Sequence, residues 1–138
     1  KFRRYCIRPT WRRHRYPYQE ESKAPEQGVI HMDWTPEELQ AIVSEHRLVL
    51  FMKGVPGAAQ CGFSNRAAQV METFAKENET VFASVDVLSD RRAIPSICAW
   101  SDFPTMPQIY VNGELIGGSD IALEMYEDGS LKEMYDNE

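Results

Sequence analysis

Residues 107–120 read PQIYVNGELIGGSD. Gln108–Val111 is a short apolar run and residues 115–116 begin a second one. Between them stands Asn112-Gly113, the pair that favours a type I′ turn, in which both central residues take positive φ. The two runs are therefore expected to pair antiparallel. Gly117-Gly118 closes the hairpin, residues 119–127 read as a helix, Gly129 stops it, and Ser130–Asp136 reads as a last short helix.

Working back along the chain changes what that hairpin must join. Leu48–Met52, LVLFM, is continuously apolar, as expected of a strand buried on both faces. A helix over residues 62–76 follows, with Ala67, Val70, Met71 and Phe74 inward, and then a strand over residues 81–87 carrying Phe82, Val85 and Val87. A strand–helix–strand unit demands a parallel pair with a right-handed crossover. Parallel pair and antiparallel hairpin are both satisfied by a mixed four-stranded sheet with helices on both faces, an α/β fold. Upstream, Thr35-Pro36-Glu37-Glu38 opens another helix, with Thr35 as N-cap, Pro36 at the first helical position and Glu38 closing a capping box. Leu39, Ile42 and Val43 give it a buried stripe to about His46. Residues 90–101 also have helical character, but Pro95 is expected to break or start the helix, which places it at residues 95–100.

The charge is uneven. Residues 1–16 hold seven of the 15 basic residues and none of the 21 acidic ones, so residues 17–138 carry eight basic against 21 acidic groups, a net −13. Phosphate is repelled by such a body, so nucleic acid is not an expected partner. No apolar run approaches the length of a membrane span, and no membrane partner is expected. Residues 1–32 read as a disordered basic tail and a Pro/Gly-containing linker, Arg-rich and acid-free at its start like a mitochondrial presequence; residues 33–138 read as one domain. Cys6, Cys61 and Cys98 are too few and too scattered for a disulfide scaffold, which favours a reducing compartment.

Cys61 falls at the expected start of a helix, among unsatisfied N–H groups and at the positive end of the dipole, and both favour thiolate. Lys53, at the end of the apolar strand, adds charge of the same effect. An inert buried thiol is the plainer alternative, though Gly57, Gln60, Gly62 and Ser64 around it do not read as core. Ser64 stands where a Cys-x-x-Cys pair would have its second thiol. Cys61 can attack a disulfide, but the resolving thiol must come from elsewhere. Cys98, beside Ile97, Ala99 and Trp100, reads as core before it reads as that resolver. In the stretch 102–120, a cis Met106–Pro107 bond would turn the Met106 peptide groups outward, where an extended peptide can pair with them. The turn Gly117–Asp120 offers N–H groups to a carboxylate and Asp120 to an ammonium. Its plain alternative is Ser119 as an N-cap and Asp120 as an acid placed to suit the dipole. A short peptide with a thiol, an α-amino group and two carboxylates meets a partner at every end.

From about residue 33 to residue 133 the chain resembles the single-domain monothiol glutaredoxins of the CGFS type, the mitochondrial ones above all, through LFMKG (50–54), QCGFSN (60–65) and FPTMPQIYVNGELIGGSDI (103–121). The resemblance implies a thioredoxin-like fold with Pro107 cis. It implies glutathione held by Lys53 at its glycyl carboxylate, by Thr105 and the Met106 backbone along its length, and by Ser119 and Asp120 at its glutamyl end, with Phe63 lining the pocket. It also implies a [2Fe–2S] cluster between the subunits of a homodimer, ligated by Cys61 and one glutathione thiol from each side. The function implied is cluster transfer in iron–sulfur protein maturation in the mitochondrial matrix, between an assembly scaffold and apo-protein acceptors; a separate reading is a regulatory module that pairs with BolA-type proteins through a shared cluster. The alternative is thiol–disulfide exchange on protein–glutathione mixed disulfides through Cys61. Four positions depart from the family pattern: Ala59 where a proline is frequent, Ile94 where an arginine is, Cys98 where a lysine is, and Ser119 where a cysteine is.

Overall fold

The computed structural model describes residues Ile7–Pro9 and 32–137. In chain order its elements are β1 (Ile7–Pro9), α1 (Pro36–Glu45), β2 (Leu48–Met52), β3 (Gly54–Val55), β4 (Ala58–Ala59), α2 (Gly62–Glu77), β5 (Ala83–Asp86), α3 (Ala93–Ser101), β6 (Gln108–Val111), β7 (Glu114–Gly117), α4 (Ser119–Asp128) and α5 (Ser130–Asp136). The main sheet runs β1-β5-β2-β6-β7. β2 pairs parallel with β5 and antiparallel with β6, so it is the strand the others are built around. Its five residues are all buried, which is why the run is apolar without alternation.

The two faces are sorted by the strand's period of two. Val49 and Phe51 point to one side, where Val85 and Tyr110 join them under α1 and α3. Leu48, Leu50 and Met52 point to the other, where Phe82, Ile109 and Val111 join them under α2, α4 and α5. The α2 stripe Ala67, Val70, Met71 and Phe74 is buried as expected. The capping box of α1 forms: Glu38 N–H donates to Thr35 Oγ1 at 3.2 Å, and Thr35 N–H donates to Glu38 Oε1 at 3.1 Å. The β6–β7 turn has φ of 52° at Asn112 and 86° at Gly113, the type I′ signature.

Besides shifts of one or two residues at the ends of α1, α2, β5, β7 and α4, the structure departs from expectation in three places. α3 starts at Ala93, two residues before Pro95. Proline is accommodated because it sits in the first turn, where an N–H has no intrahelical acceptor to lose. The loop after β2 is folded into the small ribbon β3–β4, in which Gly54 has φ 98° and a Cβ would lie 2.7 Å from the Ala58 carbonyl oxygen. And within the segment expected to be disordered, Ile7–Pro9 pairs antiparallel with β5, adding a short edge strand to the four expected ones. Strand pairing is satisfied by backbone alone, so the composition of a basic tail does not preclude it. The rest of residues 1–31 lies outside the described residues.

Candidate functional site

Cys61 is the N-cap of α2, with extended backbone (φ −155°, ψ 139°), and its side chain is only partly buried. No capping hydrogen bond closes through the sulfur. The first-turn groups nevertheless hold the thiol pKa below its ordinary value: the Ser64 amide has the largest effect, partial burial opposes it, and the Phe63 amide, the Ser64 hydroxyl and the Lys53 charge add to it. The Cys61 thiol is thus partly exposed, with its pKa shifted toward the thiolate, rather than packed away in the core.

Ser64 explains how Lys53 and Cys61 come together. It is fully buried, and its Oγ accepts the Lys53 N–H at 3.0 Å, so the end of β2 is tied to the first turn of α2. The intervening loop is pinned at two more points. Gln60 N–H donates to the Lys53 carbonyl at 2.9 Å, and Gly54 N–H donates to Asp86 Oδ1 at 3.0 Å. In the sequence Ser64 reads as a missing thiol and as a residue outside the core; its full burial corrects the second reading, and Asp86 was not singled out. An acid between the apolar Val85 and Val87 was the available signal for Asp86. The Lys53 ammonium has no ion pair among the described residues.

At the first turn of α2 lies a groove of about 640 Å³ whose walls include Phe63, Thr105, Met106, Pro107, Ser119 and Asp120; neither Cys61 nor Lys53 is among its lining residues. Phe63 is 56% exposed, so a large apolar face is open to a ligand. The Met106–Pro107 bond is cis. No backbone hydrogen bond to Met106 is made by the described residues. The wall that carries it is held from below by Gln108, which is fully buried: its Nε2 donates to the carbonyls of Phe103 (3.2 Å) and Thr105 (3.3 Å), and its Oε1 accepts the Tyr110 hydroxyl at 2.9 Å. Burial pushes the Tyr110 pKa up to about 12, so that hydroxyl stays a donor. Five of the anticipated residues therefore surround one groove, and the other two, Lys53 and Cys61, meet through Ser64 at the helix start that also carries Phe63.

Some anticipated roles are redistributed. The N-cap of α4 is Gly118, not Ser119; Ser119 is the first helical residue and is buried. Asp120 is highly exposed and is already paired: Arg66 Nη1 lies 3.1 Å from its Oδ1. Sequence reasoning missed Arg66. Its place three residues after Phe63 puts both on one face of α2, which was legible; its partner, 54 positions away, was not. Arg92, two residues before Ile94, does not stand in for the arginine frequent at that position: it is bonded to Asp90 Oδ2 at 2.8 Å and to the Met32 carbonyl at 2.9 Å. Cys98 packs on the α1–α3 side of the sheet while α2 covers the other, and burial raises its pKa. It is partly buried against the core and is not poised as a thiolate. Among the described residues no three His, Cys, Asp or Glu side chains gather into a metal site, and no helix is long and apolar enough to cross a membrane.

The sequence profile of the glutaredoxin family matches residues 48–116, a span that holds Lys53, Cys61, Phe63, Thr105 and Met106. The chain is 41% identical over 100 residues to an uncharacterized monothiol glutaredoxin, ycf64-like, of Synechocystis, covering 72% of this chain and 90% of the relative. It is 40% identical over 95 residues to glutaredoxin-related protein 5, mitochondrial, of Danio rerio (69% and 59%). With monothiol glutaredoxin-S17 of Arabidopsis thaliana it shares 39% over 109 residues, 79% of this chain but only 22% of that much longer protein. Among solved structures, the solution structure of reduced poplar apo GrxS14 superposes with a TM-score of 0.62 at 36% identity, over 76% of this chain and 95% of that one.

Proposed function

Since this chain belongs to the monothiol glutaredoxin family, we propose that it binds glutathione in the groove beside Cys61 and carries a [2Fe–2S] cluster between proteins during iron–sulfur maturation. The observation that bears this reading is the pairing of one accessible thiolate with a fully buried Ser64 in place of a second thiol. Among the described residues Cys61 has no neighbouring cysteine with which to close a disulfide, so it stays available as a ligand. The chain itself supplies one thiolate to a cluster that takes four. The remaining three come from outside it: Cys61 of a second copy and the thiol of one glutathione beside each Cys61. A two-fold dimer meets that count from one cysteine per chain. Lys53 then receives the glycyl carboxylate, Thr105 and the Met106 peptide line the cysteinyl portion, Phe63 packs against it, and Ser119 and Asp120 take the glutamyl end. Half the ligands being exchangeable, the cluster is cargo: it arrives from an assembly scaffold and leaves to apo-protein cysteines, with BolA-type proteins as additional partners. A mitochondrial matrix location is supported by the name of the Danio rerio relative and by the acid-free, Arg-rich residues 1–16.

The lowered Cys61 pKa favours a second activity at the same sulfur. The thiolate attacks the glutathione sulfur of a mixed disulfide and the target's thiolate leaves, taking a proton from solvent. A second glutathione thiolate then attacks the new Cys61–glutathione bond, releasing glutathione disulfide and restoring the Cys61 thiolate.

Anaerobic reconstitution with iron and sulfide, with and without glutathione, followed by native mass measurement, tests the carrier reading. Visible cluster absorption and a dimer mass that includes two glutathiones are expected only when glutathione is present, and neither is expected for Cys61→Ser. Cluster uptake that ignores glutathione, or an unchanged spectrum in Cys61→Ser, overturns it.

A further inference from the structure

Beside the groove stands a charged residue, Arg66, that the ligand contacts assigned so far leave unused. Arg66 on α2 places Nη1 3.1 Å from Oδ1 of Asp120 on α4, and its guanidinium carbon lies 5.8 Å from the centroid of the Phe63 ring. Phe63 and Asp120 both line the groove, so Arg66, which is not itself a lining residue, touches two residues that are. As a strut the pair does little. Its side chains are 48% and 84% exposed, and ion pairs that wet contribute little to stability.

Its geometry suits a ligand better. The contact is one nitrogen to one oxygen. A guanidinium has five N–H donors in a planar fork, so several remain for an incoming carboxylate, and Asp120 Oδ2 remains for an incoming cation. The ring beneath Arg66 restricts where the guanidinium rests. A positive and a negative group therefore stand side by side at the first turn of α4. An α-amino acid end presents the complementary pair, a carboxylate and an ammonium on one carbon.

We infer that Arg66 joins Asp120 in reading the zwitterionic α-amino acid end of the tripeptide, with Arg66 fixing its carboxylate while Asp120 takes its ammonium. This inference rests on the glutathione reading above and adds a specificity-determining residue to it. Because the glutamyl unit is linked through its side chain, both of its α-substituents are free; a peptide linked in the ordinary way lacks one of them. Arg66 thus favours a γ-linked peptide over an α-linked one.

Titration of the full chain, followed by amide NMR shifts, separates the possibilities. The ligands are glutathione and γ-aminobutyryl-cysteinylglycine, which lacks only the glutamyl α-carboxylate. Arg66→Gln is expected to weaken glutathione binding roughly three- to tenfold and to leave the decarboxylated analogue's affinity unchanged. Arg66→Lys is expected to recover part of the loss, and added salt to shrink the difference between Arg66→Gln and the parent. Equal glutathione affinity in parent and Arg66→Gln overturns the role of Arg66 alone, as does an equal loss for both ligands, the mark of a merely structural effect. Failure of the parent to bind glutathione at all removes the glutathione reading and this inference with it.

Discussion

At Cys61 the thiolate is favoured by several small contributions rather than by one strong counter-charge. The Ser64 amide leads and Lys53 comes last among the groups that lower the pKa. That ordering has a kinetic consequence. Alkylation by iodoacetamide follows the thiolate fraction, so its pH profile is expected to turn over below the ordinary thiol value. Removing the charge in Lys53→Ala moves the turnover up only slightly, because the amides remain. A profile that returns to that of a free cysteine in Lys53→Ala would show that the charge, and not the helix start, is in control. The local pattern that made Cys61 and Lys53 legible is short: an apolar strand, a lysine, a Gly-rich loop, a cysteine and a helix. What it could not reveal is that Ser64 is buried and ties Lys53 to α2, since a serine three residues after a cysteine reads as an absence until its acceptor role is visible.

Among elements, legibility followed periodicity. β2, β6 and α5 were anticipated with the boundaries observed, because a buried strand, an Asn-Gly turn and a Gly129 stop each have a local cause. Where tertiary contacts decide, boundaries shifted: α3 begins before Pro95, and the ribbon β3–β4 is closed by bonds to Asp86 and within the loop itself. Gln108 is the clearest case of an element-level role hidden from the sequence. It opens an apolar strand, yet it is buried and carries three hydrogen bonds, two of which hold the wall from Phe103 to Thr105 against β6 while the third accepts the Tyr110 hydroxyl within it. Gln108→Leu keeps the volume close and strands two carbonyls and a tyrosine hydroxyl. A loss of about 1–3 kcal/mol in denaturant unfolding is expected from groups left unpaired. Glutathione affinity is expected to fall with it, as the Thr105–Met106 wall loosens. An unchanged midpoint would mean that water replaces the amide without cost and that the wall is held by something else.

For the molecule as a whole, the expected boundary between tail and domain can be tested from the first residues described after β1. Met32 and Trp34 are already in the core, packed with α1 and the β2–β5 side of the sheet. β1, by contrast, adds only a three-residue ladder to the outer edge of β5, whose other edge is held by β2. The few backbone bonds it makes contribute about 0.5–1.5 kcal/mol each, against roughly 1–2 kcal/mol per residue to order the chain, so its net effect on stability is near zero. Deleting residues 1–31 is therefore expected to leave one cooperative unfolding transition, with a midpoint within about 5 °C of the full chain, and unaltered glutathione binding. The cost should appear elsewhere: β5 becomes an open edge, and association at high protein concentration should rise. The acidic remainder, seven basic against 18 acidic residues in 32–138, opposes that association, so it should strengthen as salt is added. A broad, non-cooperative transition in the truncated chain would place part of the folding unit upstream of Met32 and refute a domain that starts there.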